Sequence, residues 1–370
     1  MTVTKPAACF PTDYASARAA FLRACGEAGA VCTAIAHPQA GPDGAPLFLD
    51  VARLGPERAR RVLFLASGTH GVEGFCGSGI QHFLLRDGVA ARVPDGVALV
   101  LLHAVNPFGF AWLRRVNEDN VDLNRNFLDH ASPHPANADY DGLAAALNPT
   151  VLDEGALAAS LAALQRFQQE RGATAAYRAL SGGQYGHPQG VQYGGREPVW
   201  SNRTLRAVWA EHAAEAEVTA FLDLHSGLGP RGVGLLLQTA AEQSVAARLA
   251  HAWWPDVIRS EPAAGSDAAL VSGLLGPAFV AAFPRAAALG IVVEFGTRDM
   301  HDVMMAVQAE NWLHHHGDRA SEPGRAIERR MRDAFYVDED DWKEKVCMRA
   351  KEVLDRALAG IAAFEPEPTR

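Results

Sequence analysis

The sequence predicts an α/β protein with a mixed, largely parallel central sheet and helices on both faces. Three observations carry this expectation. Apolar runs of strand length alternate with stretches of helical periodicity. The segments Val62–Ala66, Gly77–Leu85 and Val97–His103 read as strand, helix and strand of one βαβ unit. Chemically active side chains follow four separate apolar runs, as they do where parallel strands deliver residues to one carboxyl edge of a sheet.

Each element has a local reason. Asp13–Ala28 has the spacing of an amphipathic helix, with Thr12 or Asp13 as its N-cap. Val31–Ala36 and Leu47–Ala52 are rich in apolar residues and flank the turn-forming Pro38–Pro46, which predicts two short strands. After the βαβ unit, Pro, Asn and Asp crowd Asn106–Pro149, and a loop is expected. Leu152–Arg171 is rich in Ala and Leu and predicts a helix, whereas Ser181–Asn202 is a Gly- and Tyr-rich loop. A helix over Arg203–Glu215, strands at Val218–Leu224 and Val233–Gln238, and a helix over Ala241–Trp253 follow. Leu289–Val293 has the composition of a buried strand; Asp302–His314 and most of Pro323–Phe364 read as helices. No internal repeat or low-complexity linker interrupts the 370 residues. One catalytic domain over 1–370 is therefore expected, with an insertion at about 131–217 and a helical C-terminal extension at about 318–370.

Composition narrows the function classes. A formal net charge of −9 without a block of Lys and Arg argues against nucleic-acid or anionic-membrane partners. No apolar run reaches the roughly 20 residues of a membrane span. The five cysteines are scattered and lack CxxC spacing, which suits a reducing compartment. Met1–Pro11 lacks a basic stretch followed by an apolar one, so no secretory signal is expected there. The expected setting is the cytoplasm.

The most informative segment is His70-Gly71-Val72-Glu73, directly behind the run Arg61–Ser67. An imidazole and a carboxylate at a strand end can hold a metal, and open hydrolytic zinc sites take two His and one Glu. Alone, the tetrad is equally compatible with a structural role. Its weight comes from three further segments: Arg115 to Phe127, containing Val121-Asp122-Leu123-Asn124-Arg125-Asn126-Phe127; Asp223-Leu224-His225-Ser226; and Val293-Glu294-Phe295-Gly296-Thr297.

In order and content these four segments resemble the zinc carboxypeptidase superfamily, the carboxypeptidase A-like enzymes, with a flavour of bacterial murein-peptide amidases and N-acyl amino acid deacylases. The resemblance spans about Val62 to Thr297 and leaves Ala131–Glu217 and the C-terminal helices unexplained. It implies one zinc ion held by His70, Glu73 and His225, with Asp122 orienting His70. It implies that Asn124 and Arg125 bind a free substrate carboxylate, a role suited to the planar fork of a guanidinium. Arg115 would polarise the scissile carbonyl, and Glu294 would be the general base. The implied activity is hydrolysis of an amide bond in a small peptide or N-acyl amino acid.

The chain departs from that pattern in one respect. The family places a tyrosine between the third ligand and the base, but none lies between Tyr193 and Tyr336. Tyr185 or Tyr193, from the glycine-rich loop, would then have to cover the substrate. Asp223 reads either as a partner of a ligand or as a turn cap, with the cap preferred. Arg114 reads as a solvated neighbour of Arg115, and Asn117 and Asn120 as loop-shaping residues. His314-His315-His316 sit on different faces of a helix and read as a solvated end. A serine hydrolase is disfavoured, because Ser67, Ser78, Ser226 and Ser272 all lack a Gly-x-Ser-x-Gly context. The remaining alternative is a non-catalytic metal- or ligand-binding protein that keeps the fold.

Overall fold

The computed structural model describes residues 4–259 and 271–365. Eight strands form one sheet: β1 (Val31–Ala40), β2 (Pro46–Leu54), β3 (Arg61–Ser67), β4 (Val97–His103), β5 (Val218–Gly227), β6 (Gly234–Gln238), β7 (Ile258–Arg259) and β8 (Ala287–Gly296), in the order β1-β2-β4-β3-β5-β8-β6-β7. The central strands β4, β3, β5 and β8 are mutually parallel. β2 joins antiparallel at one side and β6 at the other, so the sheet is mixed with a parallel centre, as the sequence predicts. Parallel central strands must be covered on both faces, and their uninterrupted apolar runs reflect this: all seven residues of β4 are buried.

The helices are α1 (Tyr14–Glu27), α2 (Gly74–Arg86), α3 (Pro107–Ala111), α4 (Ala138–Asp141), α5 (Ala144–Leu147), α6 (Glu154–Arg171), α7 (Ala173–Ser181), α8 (Trp200–His212), α9 (Val245–Trp253), α10 (Leu275–Ala282), α11 (Met300–His316), α12 (Glu322–Phe335) and α13 (Asp340–Ala362). Asp13 caps α1 by accepting from the Ser16 amide while Ser16 returns a bond to the Asp13 amide. On one face of the sheet α1, α2, α9 and α13 bury Phe21, Ile80, Trp253 and Leu354 against alternate strand residues such as Leu63 and Leu99. The other face packs Phe64 and Phe221 against Trp209 of α8 and Phe279 of α10. The C-terminal helix α13 is thus part of the core, with Trp342, Cys347 and Ile361 fully enclosed.

Two expectations are corrected. The stretch Asn106–Pro149 contains three short helices rather than loop alone. Asn106 and Asn137 start two of them by accepting from the Gly109 and Tyr140 amides, and Pro107 stands at the first helical position, where a missing N–H costs nothing. The residues behind the predicted helix 152–171 form a further helix, α7, which follows α6 through Gly172. α4, α5, α6 and α7 enclose a small core of their own around Tyr140, Leu143, Leu147 and Ala179.

Candidate metal centre

His70, Glu73 and His225 converge although 155 residues separate the two histidines. β3 ends at Ser67, and the chain turns through Gly68 at φ +67° before presenting His70. Gly71 is forced by proximity: a Cβ there would lie 2.1 Å from the Gly109 carbonyl carbon of α3. The amides of Gly71 and Val72 donate to the Arg115 and Arg114 carbonyls at 3.1 and 2.8 Å, which locks the tetrad to the arginine segment. β5 and β8 both extend further than predicted, to Gly227 and Gly296, so His225 and Glu294 lie within strands and face each other in register.

The outward nitrogens of both imidazoles meet carboxylates. His70 Nε2 is 3.1 Å from Asp122 Oδ1, and His225 Nε2 is 2.8 Å from Asp223 Oδ2. An ionised carboxylate only accepts, so each Nε2 carries the proton. Both Nδ1 lone pairs therefore turn inward, 3.2 Å apart, at 2.8 Å (His70) and 2.9 Å (His225) from the Glu73 carboxylate oxygens. Electron-rich atoms in that arrangement repel unless a cation or a proton lies among them. Two imidazoles and one carboxylate are also the donor set of open hydrolytic zinc sites, so the residues fit a divalent ion. Among the described residues this is the one such cluster of His, Cys, Asp and Glu.

Without an ion among them, protons on the imidazoles balance the carboxylates. Burial would raise the Glu73 carboxyl, but His70 and His225 outweigh it and hold it far below the usual carboxylate range. Burial likewise works against the Asp122 anion, yet Arg115, Arg125 and His70 keep it well below its ordinary value. Burial disfavours charge on His225, and Asp223 and Glu73 overcome it and push that imidazole well up. Glu294 behaves in the opposite way. Burial first, then the negative Glu73, push its carboxyl up to about 7, against a smaller pull from His225. Its Oε1 accepts from the Leu228 amide at 3.0 Å.

The Val121–Phe127 stretch divides its side chains between two tasks. Val121, Leu123 and Phe127 enter the core under the sheet. Asn126 pins the glycine-rich loop, donating to the Gly194 and Glu197 carbonyls and accepting from the Val199 amide. Asp122 turns to His70, and Asn124 and Arg125 reach the wall of a cavity. Arg115 Nη1 pairs with Asp122 Oδ2, and its Nη2 lies 2.9 Å from His70 Nε2. Arg125 donates through Nε to the Ser181 carbonyl and through Nη1 to the Asn124 carbonyl. Its Nη2 has no protein acceptor among the described residues. The Asn124 side-chain oxygen accepts from the Leu275 amide, so its NH₂ is the end left to face outward. His70, Glu73, Arg115, Asn124, Arg125, His225 and Glu294 all line one cavity of about 460 Å³.

Tyr185 and Tyr193 are placed differently from the expected cover. Neither lines the cavity. The Tyr185 hydroxyl donates to the Arg125 carbonyl at 2.8 Å, and its ring stacks on His134. Tyr193 packs in the core, and its carbonyl accepts from the Asp122 amide. Both tyrosines support the arginine segment from behind. The tyrosine on the cavity wall is Tyr177 of α7, which the sequence reading passed over.

Two other readings are corrected. Asp223 holds His225 rather than capping a turn, and is itself fixed by the Thr69 hydroxyl at 2.7 Å. Arg114 is not solvated: it is 1% exposed, donating to Glu310 of α11 and to Asn120. Asn117 and Asn120 shape the loop as expected, through bonds to the Asp119 and Val121 amides and to the Pro188 and Gly190 carbonyls.

A family model described as "Protein of unknown function (DUF2817)" matches residues 10–349. The chain belongs to the DUF2817 family. Curated proteins offer no match. Among solved structures, this DUF2817 chain is similar to bovine thrombin-activatable fibrinolysis inhibitor in complex with tick carboxypeptidase inhibitor, at 11% identity and TM-score 0.50, over 95% of this chain and 97% of that one. A metallo-carboxypeptidase from Burkholderia cenocepacia matches at 13% identity and TM-score 0.46, over 94% and 69% of the two chains. Carboxypeptidase A from Helicoverpa armigera matches at 15% identity and TM-score 0.41, over 87% and 73%. The bovine likeness shows a shared carboxypeptidase-like fold, and the His-His-Glu cluster stands within it.

Proposed function

We propose that the protein is a zinc-dependent hydrolase that cleaves an amide bond in a small substrate bearing a free carboxylate. Carboxypeptidase, peptide amidase and N-acyl amino acid deacylase reactions all satisfy that description, and the four sequence segments favour a branch near the murein-peptide amidases and deacylases. The observation that carries the reading is the convergence of two inward-facing Nδ1 atoms and the Glu73 carboxylate beside Glu294 on the neighbouring strand.

His70, Glu73 and His225 would hold the ion. Bound there, zinc supplies a Lewis acid and lowers the pKa of water towards about 7. Glu294 takes the proton of the attacking water and passes it to the leaving amine as the C–N bond breaks. Arg115 supplies positive charge for the carbonyl oxygen, and a donor of this kind is worth about 2.7–4 kcal/mol in other enzymes. The Asn124 amide and Arg125 Nη2, both without protein acceptors among the described residues, are the donors for the substrate carboxylate. Five free cysteines favour a reducing, cytoplasmic setting. No described helix is long and apolar enough to cross a membrane.

A non-catalytic binding protein is the second reading, and the Glu294 carboxyl on the cavity wall, paired with His225 across the strands, argues against it, since binding alone does not need that group. The test is metal analysis of purified protein together with turnover on dipeptides and N-acyl amino acids. Glu294→Gln should keep stoichiometric zinc and lose nearly all turnover. An active Glu294→Gln enzyme would remove the base assignment, and a metal-free, inactive native protein would remove the hydrolase reading.

A further inference from the structure

The carboxylates and guanidinium groups of the cavity are gathered at one end. Among the described residues, every Asp, Glu and Arg that lines it belongs to the metal end: Glu73, Arg115, Arg125, Asp223 and Glu294. The rest of the wall is built largely from hydrocarbon. Leu161 and Leu164 come from α6, Tyr177 and Leu180 from α7, and Val303 and Met304 from α11. The polar atoms between them are partly consumed: Gln308 Nε2 donates to the Ala146 and Leu147 carbonyls and to the Ser160 hydroxyl. Of the lining side chains, Tyr177 is 44%, Leu228 41% and Met300 55% exposed, and His301 is exposed as well.

Exposed apolar side chains that line a cavity mark a surface that a ligand covers. A peptide would need donors and acceptors along the wall; a hydrocarbon needs only area. The about 460 Å³ of space is of the order that encloses a drug-sized ligand, beyond the needs of a dipeptide head group alone.

We infer that the substrate is an amphiphile: a carboxylate seated at Asn124 and Arg125, an amide at the metal end, and an extended hydrocarbon limb lying between α7 and α11. This rests on the hydrolase reading for the position of the amide, while the apolar channel stands on its own walls. The limb belongs either to the acyl group or to the amino-acid side chain, and the two sources share one chemistry.

Two ligand series separate them. One is the N-acylglycines from acetyl through butanoyl and octanoyl to dodecanoyl. The other is the N-acetyl amino acids from alanine through norleucine to 2-aminodecanoic acid. Affinity is read by calorimetry on the full-length Glu294→Gln protein, and kcat/KM on the unmodified protein, below the aggregation threshold of each ligand. In one series binding should tighten by about fourfold per added methylene until the wall is filled. The series that responds names the limb. Flat or falling affinity in both series overturns the inference. Tyr177→Asp and Met300→Asp, at exposed positions that accept charge, should flatten the chain-length response while melting as the parent does. A retained response in both would place the limb elsewhere and overturn the α7–α11 assignment. Tightening with length but no hydrolysis of any ligand would leave the channel standing and sink the hydrolase reading. Hydrolysis of N-acetylglycine and N-acetylalanine without a length response would do the reverse.

Discussion

Asp223 and His225 lie two residues apart on β5, so their side chains leave the same face of the strand. That spacing was visible in the sequence and is the signal by which Asp223 could have been recognised as the partner of His225. The carboxylate fixes the imidazole tautomer, and losing such a partner typically costs 10- to 100-fold in metal affinity. Asp223→Ala should therefore fold and weaken zinc by about that factor in a chelator competition; unchanged affinity would return Asp223 to a purely structural role. The ligand residues themselves were legible, because a metal-holding set must display a few residue types directly behind strands. Arg114 was not. Its burial depends on Glu310, 196 residues further on, and no local pattern encodes such a pairing.

At the scale of elements, β3, β4, β5 and β8 announced themselves as apolar runs, since a strand covered on both faces has no polar side to show. The short helices α3 and α4 did not, because caps at Asn106 and Asn137 hold them rather than an apolar stripe. The turn after β3 shows how backbone contact governs the site. With Gly109 against Gly71, a methyl group at position 71 meets main chain that cannot rotate aside. Gly71→Ala should displace His70 and Glu73 together, cost about 1–3 kcal/mol of stability and loosen the metal. Thermal melting with and without zinc checks this: a variant that melts and binds like the parent would show that the loop yields freely.

For the whole molecule, the mixed sheet with helices on both faces follows from the apolar pattern, but the strand order and the cavity do not. The cavity wall takes side chains from α6, α7 and α11, and no local pattern declares that helices so far apart in sequence will meet. The interior also sets an acid limit. His103, at the end of β4, is enclosed by the Phe21 ring and the Ser78 hydroxyl, and burial pushes its imidazole down from 6.5 to about 3. The unfolded chain takes up a proton below 6.5 that the folded chain refuses until about 3. Stability is therefore lost as pH falls through that window, by up to about 1.4 kcal/mol per pH unit. Between pH 7 and pH 5 the parent should lose about 2 kcal/mol more than His103→Gln in urea unfolding; equal losses would mean that His103 is not the group responsible. The β5–β8 pairing has a last implication. The third ligand and the proton carrier share one rung of the ladder, whereas α7, which carries Tyr177, rests with α6 on its own small cluster around Tyr140 and Leu147. Selectivity and reactivity thus sit on separate footings, and drift in the rim that admits a new guest leaves the spacing of the reacting groups as it was.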